Sequence, residues 1–132
     1  MESKSPAQTR KLGFELGKKL INGGVVCLYG GLGAGKTTFI QGLARGLGIK
    51  QRVNSPTFIV ARRYKLKNNF FYHVDLYRLT SLEEAKAIGI EEMWDNNNVV
   101  VIEWPEIIEK ILPKHIKVKF TQINENERQI IY

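Results

Sequence analysis

The chain has 132 residues and carries 20 Lys and Arg against 13 Asp and Glu, a formal charge of +7. That length suits one domain, residues 1–132, large enough to bury a core without staples. A lone Cys27 excludes a disulfide scaffold or a cysteine zinc site, and no apolar run approaches the ~20 residues that span a bilayer. Residues 1–11 are polar and lack the apolar stretch of a secretory signal, so a soluble, cytoplasmic protein is expected. The basic excess permits a polyanionic partner without demanding one.

In chain order, Ser5-Pro6-Ala7-Gln8 has the form of a helix start: Ser5 caps, Pro6 suits the first helical position, and Gln8 stands three after the cap. Leu12, Leu16, Leu20 and Ile21, with Phe14 less well placed, recur near the helical period, and Asn22-Gly23-Gly24 stops the helix. Residues 25–29 are a continuous apolar run of the kind that fills a central strand covered on both faces. A glycine-rich loop, residues 30–35, leads into a helix predicted over 36–47. Phe39, Ile40, Leu43 and Leu47 share one side of it, and Gly46 and Gly48 end it. Residues 57–66 and 70–76 are predicted as a hairpin turning at Lys67-Asn68-Asn69. Ser81-Leu82-Glu83-Glu84 has capping-box spacing and opens a short helix that Gly89 interrupts before 90–94. After a turn at Asn96-Asn97-Asn98, residues 99–104 form a second buried-strand pattern closed by Pro105. Ile107, Ile108, Ile111 and Leu112 then mark one or two helical turns before Pro113. The chain finishes on a predicted hairpin: Ile116, Val118 and Phe120 alternate with lysines, Asn124-Glu125-Asn126 turns, and Ile130-Ile131 close it. Strand, glycine loop, helix and further strands together predict an α/β layer fold. The expected form is a P-loop NTPase-like domain with a central, mostly parallel sheet, antiparallel hairpins and flanking helices.

Gly30-Gly31-Leu32-Gly33-Ala34-Gly35-Lys36-Thr37 matches G-x-x-x-x-G-K-[ST] at every position, between a buried-type strand and a helix. Glycines let the backbone come close to a ligand. Successive N–H groups then converge on phosphate oxygens, aided by the positive end of the following helix. Lys36 supplies a mobile charge for the terminal phosphates and Thr37 a hydroxyl for Mg²⁺. A glycine-rich turn with a chance lysine is the plain alternative; a full match in this strand–helix setting argues against it.

Hydrolysis needs more. Mg²⁺ usually takes a carboxylate at the end of a neighbouring strand, and the attacking water needs an orienting group. Two acids end apolar runs: Glu103 after Val99-Val100-Val101-Ile102, and Asp75 after Phe70-Phe71-Tyr72-His73-Val74. Glu103 has the better strand for the metal position, although Asp is more usual there. Spacing leaves open which acid serves the metal and which the water. Ser55-Pro56-Thr57 occupies the place of a γ-phosphate switch segment, or is simply a turn. His73 either supports Asp75 or packs within its strand, and His115 is expected at the surface. Trp94 and Trp104 suit a core, while Trp104, beside Glu103, also suits a position facing nucleotide or a partner. With no Asn-Lys-x-Asp guanine-reading motif, ATP is favoured over GTP.

Five blocks together, Leu28-Tyr29-Gly30, Leu32-Gly33-Ala34-Gly35-Lys36-Thr37-Thr38-Phe39, Ser55-Pro56-Thr57-Phe58, His73-Val74-Asp75-Leu76-Tyr77-Arg78-Leu79 and Glu103-Trp104-Pro105, resemble the bacterial TsaE (YjeE) family. The resemblance runs from about Thr9 to the C-terminal hairpin. It implies a small P-loop ATPase of tRNA threonylcarbamoyladenosine biosynthesis, with ATP and Mg²⁺ as cofactors. Such a protein acts with TsaB and the transferase TsaD on tRNAs that read ANN codons, meets tRNA only through that complex, and hydrolyses ATP slowly to reset it. The resemblance also implies residue roles. Lys36, Asp75 and Glu103 are catalytic, Asp75 through the water; Thr37 and Glu103 hold Mg²⁺. Leu32, Gly33, Ala34, Gly35, Lys36, Thr37 and Thr38 bind the nucleotide, with Pro6 and Arg128 near the adenine. One departure is clear: the family commonly has Asp where this chain has Gly31, a free position of the loop, which bears on coupling more than on binding.

Two other classes share some of these features. A small-molecule P-loop kinase shares the loop but needs an acceptor pocket and usually an Arg-rich lid, and no lid-sized insertion is present. A basic nucleic-acid module concentrates its cations in a stripe, whereas Lys and Arg here are spread along the chain.

Overall fold

The computed structural model describes residues 2–31, 35–53, 60–125 and 127–131. In chain order its elements are β1 (Glu2–Ser3), α1 (Pro6–Lys19), β2 (Gly24–Tyr29), α2 (Lys36–Gly46), β3 (Ala61–Lys65), β4 (Phe70–Asp75), α3 (Leu82–Ala87), α4 (Ile90–Met93), β5 (Val99–Glu103), a 3₁₀ helix (Pro105–Ile111), β6 (Ile116–Gln122) and β7 (Arg128–Ile131). The strands form one sheet in the order β1-β7-β6-β2-β5-β4-β3. Its middle, β6-β2-β5-β4, is parallel. Antiparallel hairpins β3–β4 and β6–β7 flank it, and β1 lies antiparallel on β7. The predicted α/β class, with its mostly parallel centre, is the fold observed.

The apolar runs show no alternation because both sheet faces are covered. Val26, Leu28, Phe71, Val99 and Val101 pack into one core with residues of α1 and α2. Val25, Cys27, Val74, Val100 and Ile102 pack into a second core with residues of α3, α4 and the 3₁₀ helix. Phe39 of α2 meets Phe120 of β6 edge-on, with ring centroids 5.2 Å apart. Burial lifts the Cys27 thiol to about 12, which leaves it an inert packing residue.

Helix α1 starts as its sequence dictates, the Ser5 hydroxyl accepting from the Gln8 N–H at 3.2 Å. Its buried face departs from the expected stripe. Leu16 and Leu20 are buried, but Ile21 falls beyond the helix and is half exposed, and Phe14 is exposed too. What α1 presents to α2 is Gly13 and Gly17, and α2 answers with Gly42 and Gly46. Gly46 is the last residue of α2, as expected, and also packs against α1; Gly48, with φ +91°, follows just beyond the helix end.

Other differences are local. β1 carries no periodic pattern and was not anticipated; the buried Ser3 hydroxyl fixes it by bonding the Thr9 hydroxyl (2.6 Å) and donating to the Ser5 carbonyl (2.8 Å). β5 ends at Glu103, because Trp104 turns left-handed at φ 56° before Pro105 opens the 3₁₀ helix. His115, expected at the surface, is half-buried beside the Pro113 carbonyl. The predicted switch segment Ser55-Pro56-Thr57 and loop residues Leu32, Gly33 and Ala34 lie outside the described residues. No helix among the described residues is long and apolar enough to cross a membrane.

Candidate active site

Parallel register brings the chemistry to one end of the sheet. Leu28 of β2 and Asp75 of β4 both pair with Glu103 of β5, so the carboxyl ends of the three strands are level. The glycine loop leaves β2 at this end, and α2 starts there with Lys36. Ligands of open α/β sheets bind in this position, outside the carboxyl ends of parallel strands. Because side chains alternate along a strand, Val101 and Glu103 share a sheet face with Phe71, His73 and Asp75. That face is the one α1 and α2 cover.

Lys36 is buried, with its Nζ donating to the Gly30 carbonyl at 2.7 Å. The same ammonium sits 3.9 Å from the centroid of the Trp104 ring. The left-handed backbone at Trp104 accompanies a half-buried indole, and Tyr77 packs on it at 4.8 Å between centroids. Burial pushes the Lys36 pKa below the usual lysine range, while Glu103, Asp75 and Glu106 pull it back up.

The acids differ in setting. Glu103 is almost wholly buried, and its Oε2 lies 2.8 Å from Nε2 of the fully buried His73. His73 thus serves Glu103 by direct bonding, a partnership the sequence reading missed. Asp75 is half-buried and accepts from the Tyr77 N–H at 2.9 Å. Burial raises its pKa above the ordinary carboxylate value and Glu103 adds to the rise, against the Tyr77 N–H, His73 and Lys36.

That shift has a sign that can be checked. A carboxyl whose folded pKa is raised disfavours the folded state while ionised, and the penalty fades as pH falls and the acid protonates. Asp75→Asn keeps an oxygen for the Tyr77 N–H and removes the charge. It should stabilise the ligand-free protein at pH 7 by about 1 kcal/mol or less, the group being half solvated. Thermal melts should show the gain shrinking as pH falls and Asp75 becomes protonated in the wild type.

At the start of α2, Gly35 takes φ +93°, a conformation open to glycine, and the Thr37 and Thr38 side chains follow on the first turn. A cleft beside this turn is lined by Pro6, Thr9, Gly35, Thr38, Glu125 and Arg128. The stem of Arg128 passes 3.5 Å from the position a Cβ on Gly35 would occupy. One of its guanidinium nitrogens donates to the carbonyls of Asn124, Glu125 and Glu127, tying down the β6–β7 connection. Thr9 and Glu125 had no motif to mark them. At Gly31 an added Cβ meets nothing within 4 Å, so the departure there is not steric.

Among the described residues no three His, Cys, Asp or Glu are grouped to hold a metal by themselves. The hydroxyl of Thr37 and the carboxylate of Glu103 are hard oxygen donors. They suit Mg²⁺, which is commonly held by one or two carboxylates together with substrate phosphates and water.

Comparison with known proteins finds matches over nearly the whole chain. The family model described as "Threonylcarbamoyl adenosine biosynthesis protein TsaE" matches residues 3–130. The tRNA threonylcarbamoyladenosine biosynthesis protein TsaE of Treponema pallidum is 40% identical over 129 residues, 97% of this chain and 95% of that one. The protein of the same name from Bacillus subtilis is 39% identical over 111 residues, 83% and 69% of the two chains. The crystal structure of YdiB from the same Bacillus species superposes with a TM-score of 0.77 at 30% identity, covering 98% of this chain and 80% of that one.

Proposed function

Since the chain belongs to the TsaE family of P-loop ATPases in tRNA threonylcarbamoyladenosine biosynthesis, we propose that it is the subunit that binds and slowly hydrolyses Mg·ATP in that machinery, with TsaB and TsaD as partners. In this reading it works in the cytoplasm. The observation that carries this reading is the convergence of Lys36, Asp75 and Glu103 on one mouth, at the level carboxyl ends of β2, β4 and β5 and beside the first turn of α2.

In this reading the first turn of α2 offers its N–H groups and positive dipole end to the phosphates. The Lys36 ammonium leaves the Gly30 carbonyl for the β- and γ-phosphate oxygens. Thr37 and Glu103 would hold Mg²⁺, and the ion would supply neutralisation of the charge developing on the phosphates. Asp75, lifted by burial, orients the attacking water and accepts its proton. The Trp104 ring walls the Lys36 side of the mouth from solvent. Pro6 and Arg128, in the cleft beside Gly35 and Thr38, flank the adenine. Leu32, Gly33 and Ala34 belong to the phosphate loop by sequence.

Separating binding from turnover tests the assignment. Asp75→Ala and Glu103→Ala should each retain ADP binding within about tenfold and lose at least ~100-fold in kcat, the scale of removing one positioned catalytic group. ATPase assays run with and without the TsaB–TsaD pair, alongside a tRNA modification readout, provide the measurement. Full hydrolysis by both variants would place the second half of the site elsewhere.

A further inference from the structure

We propose that His73 is the positioning residue of the metal site: its Nε2–H holds Glu103 Oε2, so that the other carboxylate oxygen is presented to Mg²⁺ at the phosphates. This rests on the nucleotide-site reading above.

The geometry comes from the sheet. His73 lies inside β4 opposite Val101 of β5, and Glu103 is two residues further on, facing the same way. Both side chains are buried, and the 2.8 Å contact is their direct bond. Facing a carboxylate, the imidazole donates through Nε2. Among the described residues Nδ1 has no partner, although it is buried. A ring kept for packing alone would do better as phenylalanine, which has no nitrogen to leave unpaired. Among the described residues the one polar bond of the His73 ring is to Glu103, so that bond is what its polarity serves.

The choice of acid makes the service necessary. Aspartate is the more usual metal-binding acid at the end of such a strand, and glutamate adds a rotatable bond. Lys36 stands nearby as a competing cation, close enough for Glu103 to pull on its pKa. A fixed donor on Oε2 holds the longer side chain in one arrangement and prevents it from folding onto the ammonium. Partners of this kind, hydrogen-bonded to a metal ligand, typically account for 10- to 100-fold in metal affinity.

The test uses wild type, His73→Gln, His73→Asn and His73→Phe. Glutamine places an amide N–H about where Nε2 stands; asparagine places its amide near Nδ1, out of reach; phenylalanine keeps the bulk without a donor. ADP affinity is measured calorimetrically in EDTA, and Mn²⁺ affinity of the ADP complex by the electron paramagnetic resonance signal of free Mn²⁺. Metal sites are counted per ADP site in the same sample, so a partly unfolded variant still reads correctly. His73→Phe and His73→Asn should weaken Mn²⁺ roughly 10- to 100-fold with metal-free ADP affinity held within about threefold, and His73→Gln should recover most of the loss. Wild-type Mn²⁺ affinity in either donor-less variant overturns the proposal, as does a glutamine variant as weak as asparagine. Should wild type bind ADP neither in EDTA nor with magnesium present, the nucleotide-site reading falls, and this inference with it. Normal ADP binding with unaltered Mn²⁺ affinity in His73→Phe removes the inference alone.

Discussion

Lys36→Ala is expected to lower the affinity for Mg·ATP and Mg·ADP by about 100-fold or more and to leave the fold intact. A charge-assisted hydrogen bond to phosphate contributes roughly 1.5–3 kcal/mol, and the lysine can make two. Against this stand the contacts it gives up on binding: the bond to the Gly30 carbonyl and the face of Trp104. Together they are worth about 2 kcal/mol. The remainder, about 1–4 kcal/mol, brackets the ~2.7 kcal/mol of a 100-fold loss. Electrostatics push the same way, since Asp75 and Glu103 both act on Lys36 and would face the phosphates without their cation. Stability should change little, because burial already disfavours the charged ammonium. Lys36→Arg should not rescue binding: a broad planar guanidinium does not replace a compact ammonium held between a carbonyl and an indole. Calorimetric titration of ADP with magnesium present decides the matter, and affinity within about threefold of wild type would mean that Lys36 is not the phosphate-binding cation.

What could be read from the sequence was mostly local. The strand, glycine loop and helix of residues 24–46 announce themselves because every part of the pattern is contiguous, and both caps, at Ser5 and Ser81, are short-range bonds. The acids were legible as strand ends. Their relation to His73 was not, because it depends on how β4 and β5 align, and a shift of one residue turns His73 to the opposite face. The position of Pro6 and Arg128 beside α2 came from the family resemblance and from nothing in their composition. They lie at opposite ends of the chain, and the pairing of β1 with β7 brings those ends together. β1 is two residues long, too short to carry a period. At α1 the apolar-stripe rule pointed to Ile21, when the side chains that matter most to its contact are the ones that are missing.

Gly42→Ala should destabilise the protein, although helix propensity alone predicts the reverse. In an exposed helix the exchange gains up to about 1 kcal/mol. Here a Cβ on Gly42 would stand 2.0 Å from the Arg10 carbonyl oxygen and 2.7 Å from its carbon, both backbone atoms that no side-chain rotation can move. The contact is reciprocal along the pair. A Cβ on Gly13 would meet the Phe39 carbonyl oxygen at 2.1 Å, one on Gly17 that of Leu43 at 2.2 Å, and one on Gly46 that of Phe14 at 2.2 Å. Relief at one position therefore separates α1 from α2 along the whole contact and opens the core around Leu16, Phe39 and Leu43. Overpacking of this kind costs about 3 kcal/mol at its upper range, so the net loss is about 2 kcal/mol. In a domain of this size that lowers Tm by roughly 5–10 °C. The displacement also reaches the site, because α2 begins at Lys36 and α1 carries Pro6 and Thr9 to the cleft. ADP affinity should fall several-fold even well below the new Tm, at a residue far along the helix from the phosphates. Thermal denaturation and calorimetry on the same preparation separate the two effects, and a rise in Tm would show that the helices are not held at glycine contact.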